Sequence, residues 1–265
     1  MIIDVHHHLP KDYEPYIEKL REVCARIGVD RVVMCSTGPP GQADNDTLAE
    51  AQEKHSDIIS CMGYMRLGED TPRTADRIKD LGLAGIKVTR PLHDYDDDSY
   101  MPIYARAAAL HLPILFHLGI VSRGPRDRFM DVSTARMRPV HLDRIARRFP
   151  KVNLIGAHLG NPWYDEAGEV ARMHPNVYFD LTGSTLKKKP PQFIADILWW
   201  ARNEQYGSMG DSHPYEKIVF GTDVSADLME DVKNDYEAFM DHVNIEQKYR
   251  DLIMGGTVAR LFGIH

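Results

Sequence analysis

The sequence is short of cysteine, of positive charge and of long apolar runs, and each shortage excludes a class of protein. Cys24, Cys35 and Cys61 are its three cysteines, and none has a partner at metal-finger spacing. A disulfide framework and a cysteine-based zinc finger are therefore excluded. Their apolar neighbours make the three packing residues of a reduced, cytoplasmic protein. Lys and Arg number 32 against 39 Asp and Glu, a net charge of -7. A general nucleic-acid binder would carry the opposite sign. No apolar stretch approaches membrane-spanning length, and the first residues lack the basic-then-apolar order of a secretion signal, so no membrane partner is expected. A glycine-rich phosphate turn after the first apolar run is also missing, because His6-His7-His8-Leu9-Pro10 stands there. That argues against a dinucleotide-binding sheet.

Histidine, by contrast, is abundant, and its placement matters. The chain opens on Met1-Ile2-Ile3-Asp4-Val5-His6-His7-His8, strand-forming residues that run straight into imidazoles. Side chains alternate along a strand, so His6 and His8 share one face and His7 takes the other. Two neutral imidazoles side by side are half of a site for zinc, iron, nickel or copper.

At 265 residues with 43% hydrophobic content the chain can bury a large core. Tyr13, Ile17, Leu20, Cys24 and Ile27 recur at helical spacing, predicting a helix over 11–27 that Gly28 stops. Strands are then expected at 31–36, 58–65, 84–88, 113–117, 152–158, 176–181 and 217–222. Helices are expected between them at 45–55, 71–81, 100–110, 140–149, 162–173 and 191–204, and after them at 227–243 and 247–262. Strand and helix alternate about eight times with no linker or composition break, which predicts a single-domain (β/α)8 TIM barrel over 1–265. A doubly wound open sheet would usually need fewer strands.

In such a barrel the active site forms where the C-terminal strand ends meet. Those ends carry His6 and His8, Lys87, His117, His158 and Asp223. One histidine at a strand end is ordinary packing. Four, with an aspartate, at independent ends that converge on one mouth point to a metal site.

Taken together, Asp4-Val5-His6-His7-His8, Gly85-Ile86-Lys87, Phe116-His117-Leu118-Gly119, Ala157-His158-Leu159-Gly160, the stretch 163–166 and Phe220-Gly221-Thr222-Asp223 form an ordered set. This set resembles the amidohydrolase superfamily, and within it the branch of aminocarboxymuconate-semialdehyde decarboxylase. The segment 142–150 is similar to the one this branch has before its sixth strand. The resemblance implies that His6, His8, His117 and Asp223 hold one divalent ion, zinc or alternatively manganese. It also implies that His158 stays outside the metal shell, polarising substrate or shuttling a proton, and Asp223 beside the metal's water can accept that water's proton. In other branches a strand-four lysine is carboxylated and bridges two metals, which would place Lys87 between ions and recruit His117 and His158 to the second. The single-ion arrangement, with Lys87 in an ion pair or on a substrate carboxylate, is the expectation here.

The implied activity is hydrolysis of a small carboxylated or cyclic compound, such as a lactone, ester or amide. The alternative is nonoxidative decarboxylation of an aromatic or ring-cleavage acid. Many decarboxylases of the branch carry glutamate where His6 stands, whereas the His6/His8 pair fits hydrolases and the semialdehyde decarboxylase alike, and the chain is short for the branch. A non-enzymatic metal-binding relative would be expected to have lost one of these residues. Arg123, Arg126, Arg128, Arg136 and Arg138 in the 122–138 loop are candidates to meet an anionic substrate, as a solvated face or an oligomer contact would also explain. Trp163 and Tyr164 could wall a planar pocket or pack a helix start. Asp94, Asp96, Asp97 and Asp98 read as a solvated acidic loop, and Trp199 and Trp200 as core or interface.

Overall fold

The alternating pattern closes on itself. The computed structural model describes residues 1–124, 127–202 and 213–265. Its strands are β1 Ile3–His8, β2 Arg31–Cys35, β3 Ile59–Met65, β4 Gly85–Val88, β5 Ile114–Phe116, β6 Leu154–Gly156, β7 Val177–Asp180 and β8 Ile218–Val219. Around them run α1 Glu14–Ile27, α2 Asn45–Lys54, α3 Pro72–Asp80, α4 Met101–Ala109, α5 His141–Arg148, α6 Tyr164–Met173, α7 Thr185–Lys188, α8 Pro191–Ile197, α9 Met229–His242, α10 Gln247–Asp251 and α11 Thr257–Phe262. All the strand pairs are parallel, in the order β1 to β8. Two backbone hydrogen bonds draw the last strand to the first, Val5 N–H to Phe220 O (3.0 Å) and Asp223 N–H to His6 O (2.7 Å). This is a single-domain (β/α)8 barrel.

Two apolar layers hold it. Ile3, Val5, Val33, Leu115, Ile155 and Val219 fill the barrel's interior. The other face of the strands packs on stripes such as Ile17, Leu20, Cys24 and Ile27 of α1. Gly28, with φ at 74°, ends that helix in a left-handed turn whose N–H bonds Cys24 O.

The strands and first helices fall where the hydrophobic pattern puts them, and the differences have physical causes. The last expected helix, 247–262, breaks into α10 and α11 around a wide turn at Leu252–Gly256. A Cβ on Gly255 would lie 2.5 Å from Met1 O, so only glycine lets the chain pass beneath β1. α8 ends at Ile197, and the expected end at residue 204 lies outside the described residues. Trp200 is buried, whereas Trp199 is partly exposed. The acidic loop is not simply solvated: Asp96 meets His141 at 2.8 Å and Asp98 meets Arg144 at 2.6 Å, docking it on α5.

Candidate metal centre

Every strand end that carries a chemically active side chain opens on one mouth. His6 and His8 turn the same way despite a one-residue bulge between Asp4 and His7, and their rings lie 5.3 Å apart. His7 turns outward into a separate buried network, with Nδ1 2.9 Å from Thr222 Oγ1 and Nε2 2.6 Å from Tyr16 OH. Asp223 reaches His8 Nε2 at 3.0 Å, His6 Nε2 at 3.5 Å and His158 Nε2 at 3.7 Å. The His117 and His158 rings lie 5.0 Å apart.

Supporting groups fix which nitrogen of each ring faces inward. His6 Nδ1 donates to the buried Asp180 carboxylate at 2.9 Å. His8 Nδ1 donates to Gln42 Oε1 at 3.2 Å, an oxygen identified by its second bond, from Thr37 N–H. Thr182 spends its hydroxyl proton on Asp180 at 2.5 Å, so His158 Nδ1, 2.7 Å from Thr182 Oγ1, must be the donor of that bond. His6, His8 and His158 therefore hold Nδ1–H outward and aim Nε2 at the mouth. His117 Nε2 is buried with no hydrogen-bond partner among the described residues. Inward nitrogens backed by outer acceptors, and an orphaned imidazole beside them, are what a divalent cation requires of a protein.

Charge points the same way. Burial favours neutral His6 and Lys87 repels its charge, but Asp223 and Asp180 prevail and raise its pKa to about 10. His8 is raised to about 9, as Cys35 and Asp223 outweigh burial. Asp223 is held well below the carboxylate range because His6, His8 and His158 outweigh its burial. Burial instead lowers His117 and His158, favouring neutral rings. The carboxylates thus draw positive charge to the centre, and protons supply it where a metal ion could. If an ion displaces the protons on His6 and His8, its affinity should rise with pH up to about 9, roughly tenfold per pH unit for each proton released. Titration calorimetry in buffers of different ionisation enthalpy measures that release, and a pH-independent affinity would contradict it.

Backbone strain is concentrated here. His158, Leu159 and Asp223 all have positive φ, at 63°, 44° and 50°, a conformation costly for residues with a side chain. His158 is held in it by its N–H to Asp180 Oδ1 (2.8 Å) and by Thr185 Oγ1 donating to its carbonyl (2.7 Å). The loop after β5 fits against it through Gly119, whose φ is 83° and whose added Cβ would lie 1.8 Å from Asn161 O. Gly119→Ala should cost on the order of 2–5 kcal/mol of stability, read from denaturant unfolding.

Not every expected residue joins the cluster. Lys87 is fully buried, but the ion pair expected of it is absent among the described residues; its Nζ lies 2.9 Å from His6 Nε2 instead. Trp163 is half-buried beneath the Arg138 guanidinium, 5.3 Å from its ring, and Arg138 pairs with Glu166. Arg136 is spent on Asp131, while Arg123 stands exposed in the loop after β5. Arg126 and the Arg128 side chain lie outside the described residues. Tyr164 is buried and packs on Phe193.

Sequence reasoning missed Asp180, Gln42, Thr182 and Arg90. Asp180 had a signal, a lone carboxylate ending the apolar run Val177-Tyr178-Phe179. Arg90, just past β4, has φ at 49° and a buried Nε with no hydrogen-bond partner. All three cysteines are free and buried, as packing residues would be, but Cys35 has neighbours that the other two lack. Cys24 and Cys61 are core residues whose thiols burial pushes up. Cys35 lies at the end of β2 beside His8, and despite its burial His8 and Lys87 bring its pKa down to about 5.

Comparison with known proteins adds a family and a fold. The Amidohydrolase (Amidohydro_2) family model matches residues 3–264. Protein fluG of Emericella nidulans is 29% identical over 77 residues, and the match spans 29% of this chain and 8% of that protein. Among solved structures, 5-carboxyvanillate decarboxylase from Sphingomonas paucimobilis is 15% identical, over 100% of this chain and 99% of that one, with a TM-score of 0.68. A probable 2-pyrone-4,6-dicarboxylic acid hydrolase from Acinetobacter baumannii, solved with citric acid bound, is 13% identical over 99% of each chain, with a TM-score of 0.65. A mutant 5-carboxyvanillate decarboxylase from Novosphingobium aromaticivorans, solved with bound manganese, is 14% identical over 100% of this chain and 97% of that one, with a TM-score of 0.63. At these identities the likeness is one of fold, and it extends to hydrolases and decarboxylases alike.

Proposed function

The chain belongs to the amidohydrolase family, and on that premise we propose that it is a metal-dependent hydrolase of a small anionic lactone, ester or amide. His6, His8, His117 and Asp223 would hold one divalent ion, zinc or manganese. Such an ion polarises a carbonyl and brings the pKa of a water down to about 7. The observation that carries the choice of hydrolysis is the state of His158. Its Nδ1–H is fixed on Thr182, and burial, which lowers its pKa, favours a bare Nε2 3.7 Å from Asp223. An unprotonated nitrogen beside a carboxylate held deprotonated is built to take a proton from an attacking water, and afterwards to return it to the leaving group.

Decarboxylation, the second reading, needs a proton delivered to carbon and no attacking water, so it requires His158 in the protonated form that burial disfavours. Turnover in oxygen-18 water distinguishes the two. Hydrolysis should place label in the acid product, whereas carbon dioxide release without water oxygen in the organic product would establish the other reaction.

Three features support an anionic substrate. Arg90, just past β4, has a buried Nε with no hydrogen-bond partner among the described residues, Arg123 is exposed in the loop that follows β5, and Lys87 projects from β4. Trp163 would flank a planar ring. That Lys87 has no carboxylate partner among the described residues also favours a two-metal variant in which carbon dioxide carboxylates Lys87. Metal analysis decides between them: one ion per chain for the arrangement proposed, two with a carboxylated lysine for the variant.

A further inference from the structure

Cys35 ends β2 directly opposite His8 of β1 in the strand register, so the two side chains project from neighbouring strands into the same mouth. Its Sγ lies 3.6 Å from His8 Nδ1 and 4.0 Å from His8 Nε2. One donor atom from each of His6, His8 and Cys35 lies within 4.8 Å of the other two, the span of ligands around a single ion. The side chain is fully buried, at the top of the layer that fills the barrel. Cys24 and Cys61 have no such company: Cys24 lies in the apolar stripe of α1, and Cys61 belongs to the layer between strands and helices.

We propose that the Cys35 thiolate is a further ligand of the ion at this centre and makes it prefer zinc to manganese. This rests on the metal-centre reading above and adds to it a named donor and a metal preference. Thiolate is a soft ligand, suited to zinc and cobalt, whereas manganese favours carboxylate, carbonyl and water. The thiol proton leaves to solvent as the ion binds, so coordination needs no oxidant or other reactant. An Asp223 carboxylate on one side and a Cys35 sulfur on the other would give the imidazole cluster one hard and one soft anionic donor.

The test is cobalt(II) substitution of the full-length protein after chelator treatment. A thiolate ligand produces a near-ultraviolet sulfur-to-cobalt charge-transfer band, which oxygen and nitrogen ligands do not. The band is expected in the wild type and in Cys24→Ala and Cys61→Ala, and its loss is expected in Cys35→Ser. In the same variant zinc affinity should fall by roughly 10–100-fold or more, at least the loss caused by removing a supporting residue, with manganese affinity changed far less. Bound cobalt that shows visible d–d bands and no thiolate band would overturn the inference and leave the metal-centre reading standing. Failure to take up cobalt or zinc at all would overturn both. Should Cys35→Ser not fold, X-ray absorption of the zinc-loaded wild type decides. A sulfur scatterer at about 2.3 Å supports the ligand, and a shell of only nitrogen and oxygen at about 2.0–2.1 Å overturns it.

Discussion

His158→Asn is expected to lower kcat by roughly 100-fold to 10,000-fold while metal content stays at the wild-type level. The imidazole donates from Nδ1 to Thr182 and presents Nε2 to Asp223, so its loss removes a proton acceptor and no bond that orients His6 or His8. The pH profile supplies a readout that a purely structural role would not move. A free Nε2 that must accept a proton gives activity that falls as pH drops through the His158 pKa, and burial has shifted that pKa downward. With the metal kept saturating, activity should therefore hold on the acid side past the usual imidazole range, and in His158→Asn this acid limb should vanish. Metal content falling in step with activity would instead make His158 a ligand, as in the two-metal arrangement.

Asp223→Asn should abolish turnover and release the ion, because the carboxylate both faces the inward nitrogens and holds their positive charge. Asp180→Asn separates orientation from coordination. Asp180 bonds His6 Nδ1 at 2.9 Å and the His158 backbone N–H at 2.8 Å. An amide there can turn its NH2 toward His6, reverse the ring's tautomer and take the lone pair off Nε2. Metal affinity should fall by roughly 10–100-fold, the range found for outer partners of ligating histidines. Equilibrium dialysis of both variants measures the difference. Equal retention in Asp180→Asn and wild type would mean that this carboxylate does not set the ring's orientation.

Periodicity made most of this fold legible. Eight apolar runs separated by amphipathic helices bury both faces in a parallel sheet covered by helices, and their number favours closure into a barrel, while the alternation rule alone placed His6 and His8 together with His7 turned away. The same rule sent Lys87, His117, His158 and Asp223 to one rim, because each ends its run at the C-terminal side of a strand. Where local chemistry was overridden by distant backbone, the pattern failed. The helix expected over 247–262 breaks because Gly255 must pass Met1 O at close range, a contact between opposite ends of the chain.

What the sequence determined by itself was therefore the barrel, its strand order and the placing of His6, His8, Lys87, His117, His158 and Asp223 at C-terminal strand ends, since these follow from spacing within single segments. Tertiary structure alone decided which nitrogen each imidazole presents. Asp180, Gln42 and Thr182 set those tautomers from β7 and two loops, at separations of 174, 34 and 24 residues. It also decided that Lys87 faces His6 rather than a carboxylate, that Cys35 joins the histidines, and that the buried Arg90 Nε has no hydrogen-bond partner among the described residues. Hydrogen bonds and charge act across space with a reach of a few ångströms, and only the closed barrel brings those groups within it.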